Sequence, residues 1–186
     1  MRATGGMPAK YSEDTIREAV DLGCVTAAYR ADRQAVIDAL NKLRATEFAS
    51  YLQYKQHAYM AVSLLSPGLK ADFAAHADLE LGHADMLGER IQQLGGVPVY
   101  RPHELARQAA EEGVSPEQGA TLTDMVVENL MLERQQIESY TNLIRELRDG
   151  DPTTTRLLLT ILEVTERHAS ELADYLKRVS ETTGRV

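Results

Sequence analysis

Five side chains in this sequence share one chemistry: Glu47, Glu80, His83, Glu133 and His168. Carboxylates and imidazoles with no thiolate among them are donors that suit iron or manganese, with zinc a third fit. Glu80 and His83 stand three residues apart, so on a helix they share one face and can hold one ion together. Glu47 and Glu133 would each close one ion of a pair, and a carboxylate such as Glu80 would bridge. Each of the five falls on the apolar stripe of a long helical segment. Glu47 lies among Leu40, Leu43, Tyr51, Tyr54 and Ala58; Glu80 and His83 lie among Phe73, Ala77, Ala84, Leu87 and Ile91. Glu133 lies among Met125, Val126, Leu130, Ile137 and Tyr140, and His168 among Leu157, Ile161, Leu172 and Tyr175. A buried carboxylate without a partner costs several kcal/mol. Four helices that each turn a Glu or a His to the core therefore require a compensating cation. A single Glu-x-x-His, or a single His on a stripe, would be ordinary packing; the joint pattern carries the metal reading.

Neighbouring residues extend the set. Tyr54, seven residues after Glu47, sits two turns along the same face. It is the candidate catalytic residue, able to hydrogen-bond a ligand or donate an electron, and equally a core tyrosine with a satisfied hydroxyl. His76, one turn before Glu80, is a candidate access-route or accessory ligand beside the five. His57 and His103 read as structural or exposed.

The elements that position these residues are helical. Ala, Leu, Glu, Gln and Arg dominate, Trp is absent and Phe occurs twice, a composition of strong helix formers. The spacing predicts a short helix over 12–29 and four long ones over 32–65, 70–94, 117–148 and 151–182. At 1.5 Å per residue the long ones span about 35–50 Å. Tight connections at 66–69 and 149–151 make two antiparallel hairpins, and the long stretch 95–116, with a short helix over 102–111, crosses between them. Two hairpins and one long crossover form a four-helix bundle of the ferritin-like arrangement. A weak repeat agrees: Glu47, Tyr54 and His83-Ala84 in the first hairpin match Glu133, Tyr140 and His168-Ala169 in the second, with Glu-to-His separations of 36 and 35 residues. The expected organisation is an N-terminal extension over 1–31 and a bundle domain over 32–182.

Composition narrows the function classes. The 186 residues carry a formal net charge of −8, which argues against a broad nucleic-acid surface and suits attraction of cations. One cysteine, Cys24, excludes an internal disulfide framework and a thiolate zinc cluster. No stretch approaches the roughly 20 apolar residues of a membrane span, and no signal-peptide pattern opens the chain. A cytoplasmic location is expected.

Residues 33–178 resemble the bacterioferritins and the related Dps-like proteins. The resemblance is carried by Thr46-Glu47-Phe48, Gln53-Tyr54, His57-Ala58, His76-Ala77, Glu80-Leu81-Gly82-His83-Ala84 and Leu94-Gly95-Gly96-Val97-Pro98. Asn129-Leu130-Met131-Leu132-Glu133 and Glu166-Arg167-His168-Ala169 add to it. It implies an all-α ferritin-like fold, a di-iron site, Fe(II) oxidation, mineral storage in a hollow shell and detoxification of O2 or peroxide. Three departures stand out. The family pattern has a second Glu-x-x-His on the last helix, and here Thr165 precedes His168 by three. Leu81 stands where haem-binding members carry methionine, so no haem is expected. No extra C-terminal helix is expected after the last long one, and the short crossover helix favours a Dps-like dodecamer. The expectation is a homo-oligomer, with a dodecameric shell favoured, acting on Fe(II) with O2 or peroxide and not on DNA or membranes. Two other readings stay open: a ferritin-like di-metal oxidoreductase on an organic substrate, and a structural bundle whose metal site is degraded at Thr165.

Overall fold

The computed structural model describes residues 11–61 and 67–183. Among these, every regular element is a helix: α1 (Glu13–Leu22), α2 (Arg33–Met60), α3 (Pro67–Gln93), α4 (Pro102–Glu111), α5 (Leu122–Leu147) and α6 (Pro152–Thr183). α2 pairs with α3 and α5 with α6, and the hairpins close a bundle through contacts of α2 with α5 and α3 with α6; α4 lies against α2. The all-α ferritin-like bundle expected from the sequence is the fold observed.

Local chemistry sets the boundaries. α1 starts at its Ser12 cap, whose side chain accepts from the Thr15 N–H, but stops at Gly23 with φ 56°, seven residues before the predicted end. Asp32 caps α2 by accepting from the N–H groups of Gln34 and Ala35. That helix ends at Met60 with Ala61 as its C-cap; residues 62–65 of the predicted segment, with Leu65, and Ser66 of the predicted turn lie outside the described residues. α3 opens at Pro67, where proline suits a first helical position, rather than at Lys70. α5 begins at Leu122 and not at Glu117, because Gly119 takes φ 62° and Thr121 closes a reciprocal capping box with Asp124.

Asp151 caps α6, accepting from the Thr154 N–H at 2.9 Å, and also receives Nη2 of Arg90 at 2.9 and 3.0 Å and the Tyr29 hydroxyl at 3.1 Å. One nearly buried acid thus ties the end of α3, the start of α6 and the segment before α2. The crossover is pinned to α2 in a similar way. Arg44, fully buried, donates to the carbonyls of Ala84 and Val99 and packs its guanidinium against the rings of Phe48 and Tyr100.

Among the described residues the core has three apolar clusters. The first gathers Val36, Leu40 and Leu43 with Leu87, Ile91, Leu143, Leu158 and Ile161, and the second gathers Ala58, Phe73, Ala77, Val126 and Leu172. A small third, Ala45, Ala49, Ala109, Val114 and Leu132, seats the crossover against α2 and α5. Along all four long helices the stretch between the first two holds the five acids and histidines described next.

Candidate metal centre

All five proposed ligands come from the middle turns of the four long helices, where backbone hydrogen bonding on both sides fixes their Cα positions. Glu47 comes from α2, Glu80 and His83 from α3, Glu133 from α5 and His168 from α6. The three glutamates are fully buried, His168 is 1% exposed and His83 is 5% exposed. Donor atoms of Glu47, Glu80 and His83 lie within 4.8 Å of one another, and so do those of His76, Glu133 and His168. Glu80 joins the two groups, for its Oε1 is 3.3 Å from Nδ1 of His168.

Each hairpin braces the other's glutamate. The Tyr54 hydroxyl of α2 donates to Oε1 of Glu133, and the Tyr140 hydroxyl of α5 donates to Oε1 of Glu47. The repeat seen in the sequence is therefore a pseudo-twofold exchange of tyrosine–glutamate bonds. Gln136 Nε2 adds a second donor to Glu47 Oε1 at 3.0 Å. Nδ1 of His83 approaches Glu47 Oε2 at 3.3 Å, and Nδ1 of His168 approaches Glu133 Oε1 at 3.2 Å.

These bonds leave specific atoms over. Both oxygens of Glu80, Oε2 of Glu133, Nδ1 of His76 and Nε2 of His168 are buried with no hydrogen-bond partner among the described residues. Unpaired buried polar atoms are rare because each forfeits its hydration. Here they belong to oxygen and imidazole donors clustered on facing helices, so the residues fit a pair of divalent ions of the iron, manganese or zinc kind.

The electrostatics describe the cluster without metal. Burial pushes the Glu47 carboxyl up to about 7 and the Glu133 carboxyl up to about 8. Burial, reinforced by the charges of Glu47 and Glu133, holds Glu80 well above the carboxylate range. Burial pushes His83 down; burial and the neighbouring His168 push His76 down to about 4. The acids thus store protons that an incoming cation would displace, and the two imidazoles are neutral and able to ligate.

Thr165 is fully buried, and its hydroxyl donates to the Ile161 carbonyl of its own helix at 3.1 Å. It supplies no ligand. Three participants lie outside the five candidate ligands. Tyr140 shows in the sequence only as the repeat partner of Tyr54, and Gln136 gives no sequence signal at all. His76, a candidate accessory residue, has its ring stacked on that of His168. His57, read as structural or exposed, is fully buried: Nδ1 meets Asn129 Oδ1 at 2.9 Å and Nε2 faces the Glu117 carbonyl at 3.1 Å.

Comparison with known proteins places this architecture. A family model described as a ferritin-like domain matches residues 37–182. A bacterioferritin of Desulfovibrio desulfuricans is 29% identical over 161 residues, covering 84% of each chain. A nutrient stress-induced DNA-binding protein of Nostoc is 33% identical over 154 residues, covering 80% of this chain and 81% of the relative. Among solved structures, a dodecameric thioferritin described as the bacterioferritin-related protein of Bacteroides fragilis superposes with a TM-score of 0.79 at 25% identity, covering 90% of this chain and 97% of that one.

Proposed function

The chain belongs to the ferritin-like family, and from that premise we propose that it takes up Fe(II) between its four long helices, oxidises it with O2 or peroxide, and stores or detoxifies iron in a hollow homo-oligomer. The observation that carries this reading is the layer of buried carboxylates and imidazoles in which atoms of Glu80, Glu133, His76 and His168 have no hydrogen-bond partner among the described residues. We take Glu47, Glu80, His83, Glu133 and His168 as the metal ligands and Tyr54 as the residue beside them with a catalytic part. A bound metal pair would supply the redox chemistry.

The chain's own residues do the rest. Tyr54 and Tyr140 hold one oxygen each of Glu133 and Glu47 and leave the second oxygen of Glu133 without a protein partner. Glu80 lies in reach of both ligand groups and suits the bridging role. The apolar clusters on either side exclude bulk water, so the attraction between acids and cation is screened far less than at a surface. Protons held on the glutamates leave as cation charge replaces them.

A shell is supported by the outer faces of α2 and α5, where Leu52, Tyr59, Val127 and Met131 are exposed; surface of this kind is what assembly covers. The Bacteroides relative is a dodecamer, and we favour that number here, in the cytoplasm and without haem. A net charge of −8 speaks against DNA binding, although the Nostoc relative is named for it. Among the described residues no helix is long and apolar enough to cross a membrane.

The test is aerobic Fe(II) titration of the metal-free protein, following ferric absorbance, with Glu80→Gln alongside. Rapid oxidation that saturates at a fixed number of irons per chain and is lost in Glu80→Gln supports the reading. Iron oxidation no faster than in buffer, with no saturable uptake, overturns it and leaves a structural bundle. Saturable metal uptake with no iron oxidation would favour the di-metal oxidoreductase on an organic substrate.

A further inference from the structure

We propose that His76 takes the place of the carboxylate missing at Thr165, so that one of the two ion positions is built from Glu133, His168 and His76. The proposal rests on reading the buried cluster as an ion site.

His76 lies on α3, one turn before Glu80, and is 7% exposed. Its ring stacks on that of His168 with centroids 3.9 Å apart and planes 13° apart. It meets the Tyr54 ring edge-on at 5.2 Å. The two nitrogens differ in surroundings. Nε2 faces Oε2 of Glu171 at 3.3 Å, whereas Nδ1 is buried and has no hydrogen-bond partner among the described residues. A carboxylate on the outer nitrogen of a histidine places the proton there and frees the other nitrogen's lone pair, the arrangement that orients metal-binding histidines. Glu171 stands one turn after His168 on α6, so one helix supplies both a ligand and the group that orients its neighbour. Donor atoms of His76, Glu133 and His168 converge within 4.8 Å, while Thr165 spends its hydroxyl on its own helix.

The consequence is an uneven pair. Glu47, Glu80 and His83 give two carboxylates and one imidazole, whose charge balances one divalent ion. Glu133, His168 and His76 give one carboxylate and two imidazoles, a combination used for non-haem Fe(II) and for zinc. The second position carries less negative charge and should fill after the first.

Calorimetric titration of the whole metal-free protein with Co(II), an ion that does not oxidise in air under these conditions, tests this. The wild type should bind two ions per chain in two steps. His76→Phe keeps a flat ring against His168 and Tyr54 and should bind one ion, the tighter. His76→Ala should do the same, and the two variants together keep the test readable if one disturbs folding, which thermal melting and oligomer size would reveal. His76→Phe combined with Thr165→Glu should regain the second ion. Two ions bound with wild-type affinities in either folded His76 variant, or a wild type that binds a single ion unaffected by them, would overturn the role of His76 and leave the iron reading standing. A wild type that binds no ion would overturn both.

Discussion

At the scale of single residues the site is built on exchange across the bundle: each hairpin's tyrosine holds the other hairpin's glutamate. Removing either hydroxyl should loosen a candidate ligand, Glu133 more than Glu47, which keeps the Gln136 amide. Tyr54→Phe and Tyr140→Phe should each weaken metal binding about 10–100-fold, the usual cost of losing a group that orients a ligand, with the oligomer intact. If Tyr54 also passes an electron, only its variant will slow iron oxidation at saturating metal; equal rates in the two would reduce it to a positioning role. Protonation gives a second prediction. Glu47 and Glu133 have carboxyls raised to about 7 and about 8. An acid raised on folding stabilises fully below its unfolded value and loses that contribution as pH rises through the folded one. The metal-free protein should therefore melt at progressively lower temperature from about pH 5 to about pH 8, and metal should remove most of the fall. At pH 6.5, metal uptake should release protons, read as a binding heat that depends on the buffer. The five candidate ligands, all buried, stand out in the sequence because acids and histidines on apolar stripes violate the ordinary pattern. Tyr140 and Gln136 violate nothing, so their part appeared only when the helices were brought together. His76 was ambiguous because its contact with His168 joins α3 to α6, which no spacing within one helix reveals.

At the scale of elements, the four long helices and the crossover helix followed from periodicity and from proline and glycine punctuation, while several ends did not. The sequence pattern starts α5 five residues early because the stretch at 116–121 holds helix-forming residues after its proline. The capping box at Thr121 and Asp124, a local signal, decides the matter. Thr121→Ala should cost about 1 kcal/mol in denaturant unfolding. Asp151 carries more, since it caps α6 and pairs with Arg90. Its replacement by alanine leaves a nearly buried guanidinium without its acid, at a cost on the order of 3 kcal/mol. The same measurement on both variants should rank them in that order. Position 119 illustrates the turn geometry: with φ 62°, a Cβ there would sit 2.6 Å from the Met125 side chain and 3.0 Å from its Cα, so only glycine fits.

At the scale of the whole molecule, one polar layer lies between two apolar clusters, and the layer depends on the clusters for its dryness. Leu87, fully buried in the first cluster and one turn from His83, belongs to both problems. Leu87→Ala should cost about 2–5 kcal/mol of stability and loosen the packing that holds His83, so metal affinity should fall along with melting temperature. α1 buries no residue and makes no described contact with the bundle helices, in keeping with its assignment from the sequence to an extension outside the four long helices. Purified protein should elute as a dodecamer and should leave duplex DNA unshifted at physiological salt. A shift would mean that a basic surface operates in spite of the net charge.

The most direct test of the central claim is anomalous diffraction from crystals of the metal-free protein soaked with Fe(II) under anaerobic conditions. The account predicts two iron peaks inside the bundle, one against Glu47, Glu80 and His83 and the other against Glu133 and His168. Iron found only on the surface, or a cluster that stays metal-free at saturating Fe(II), would contradict it.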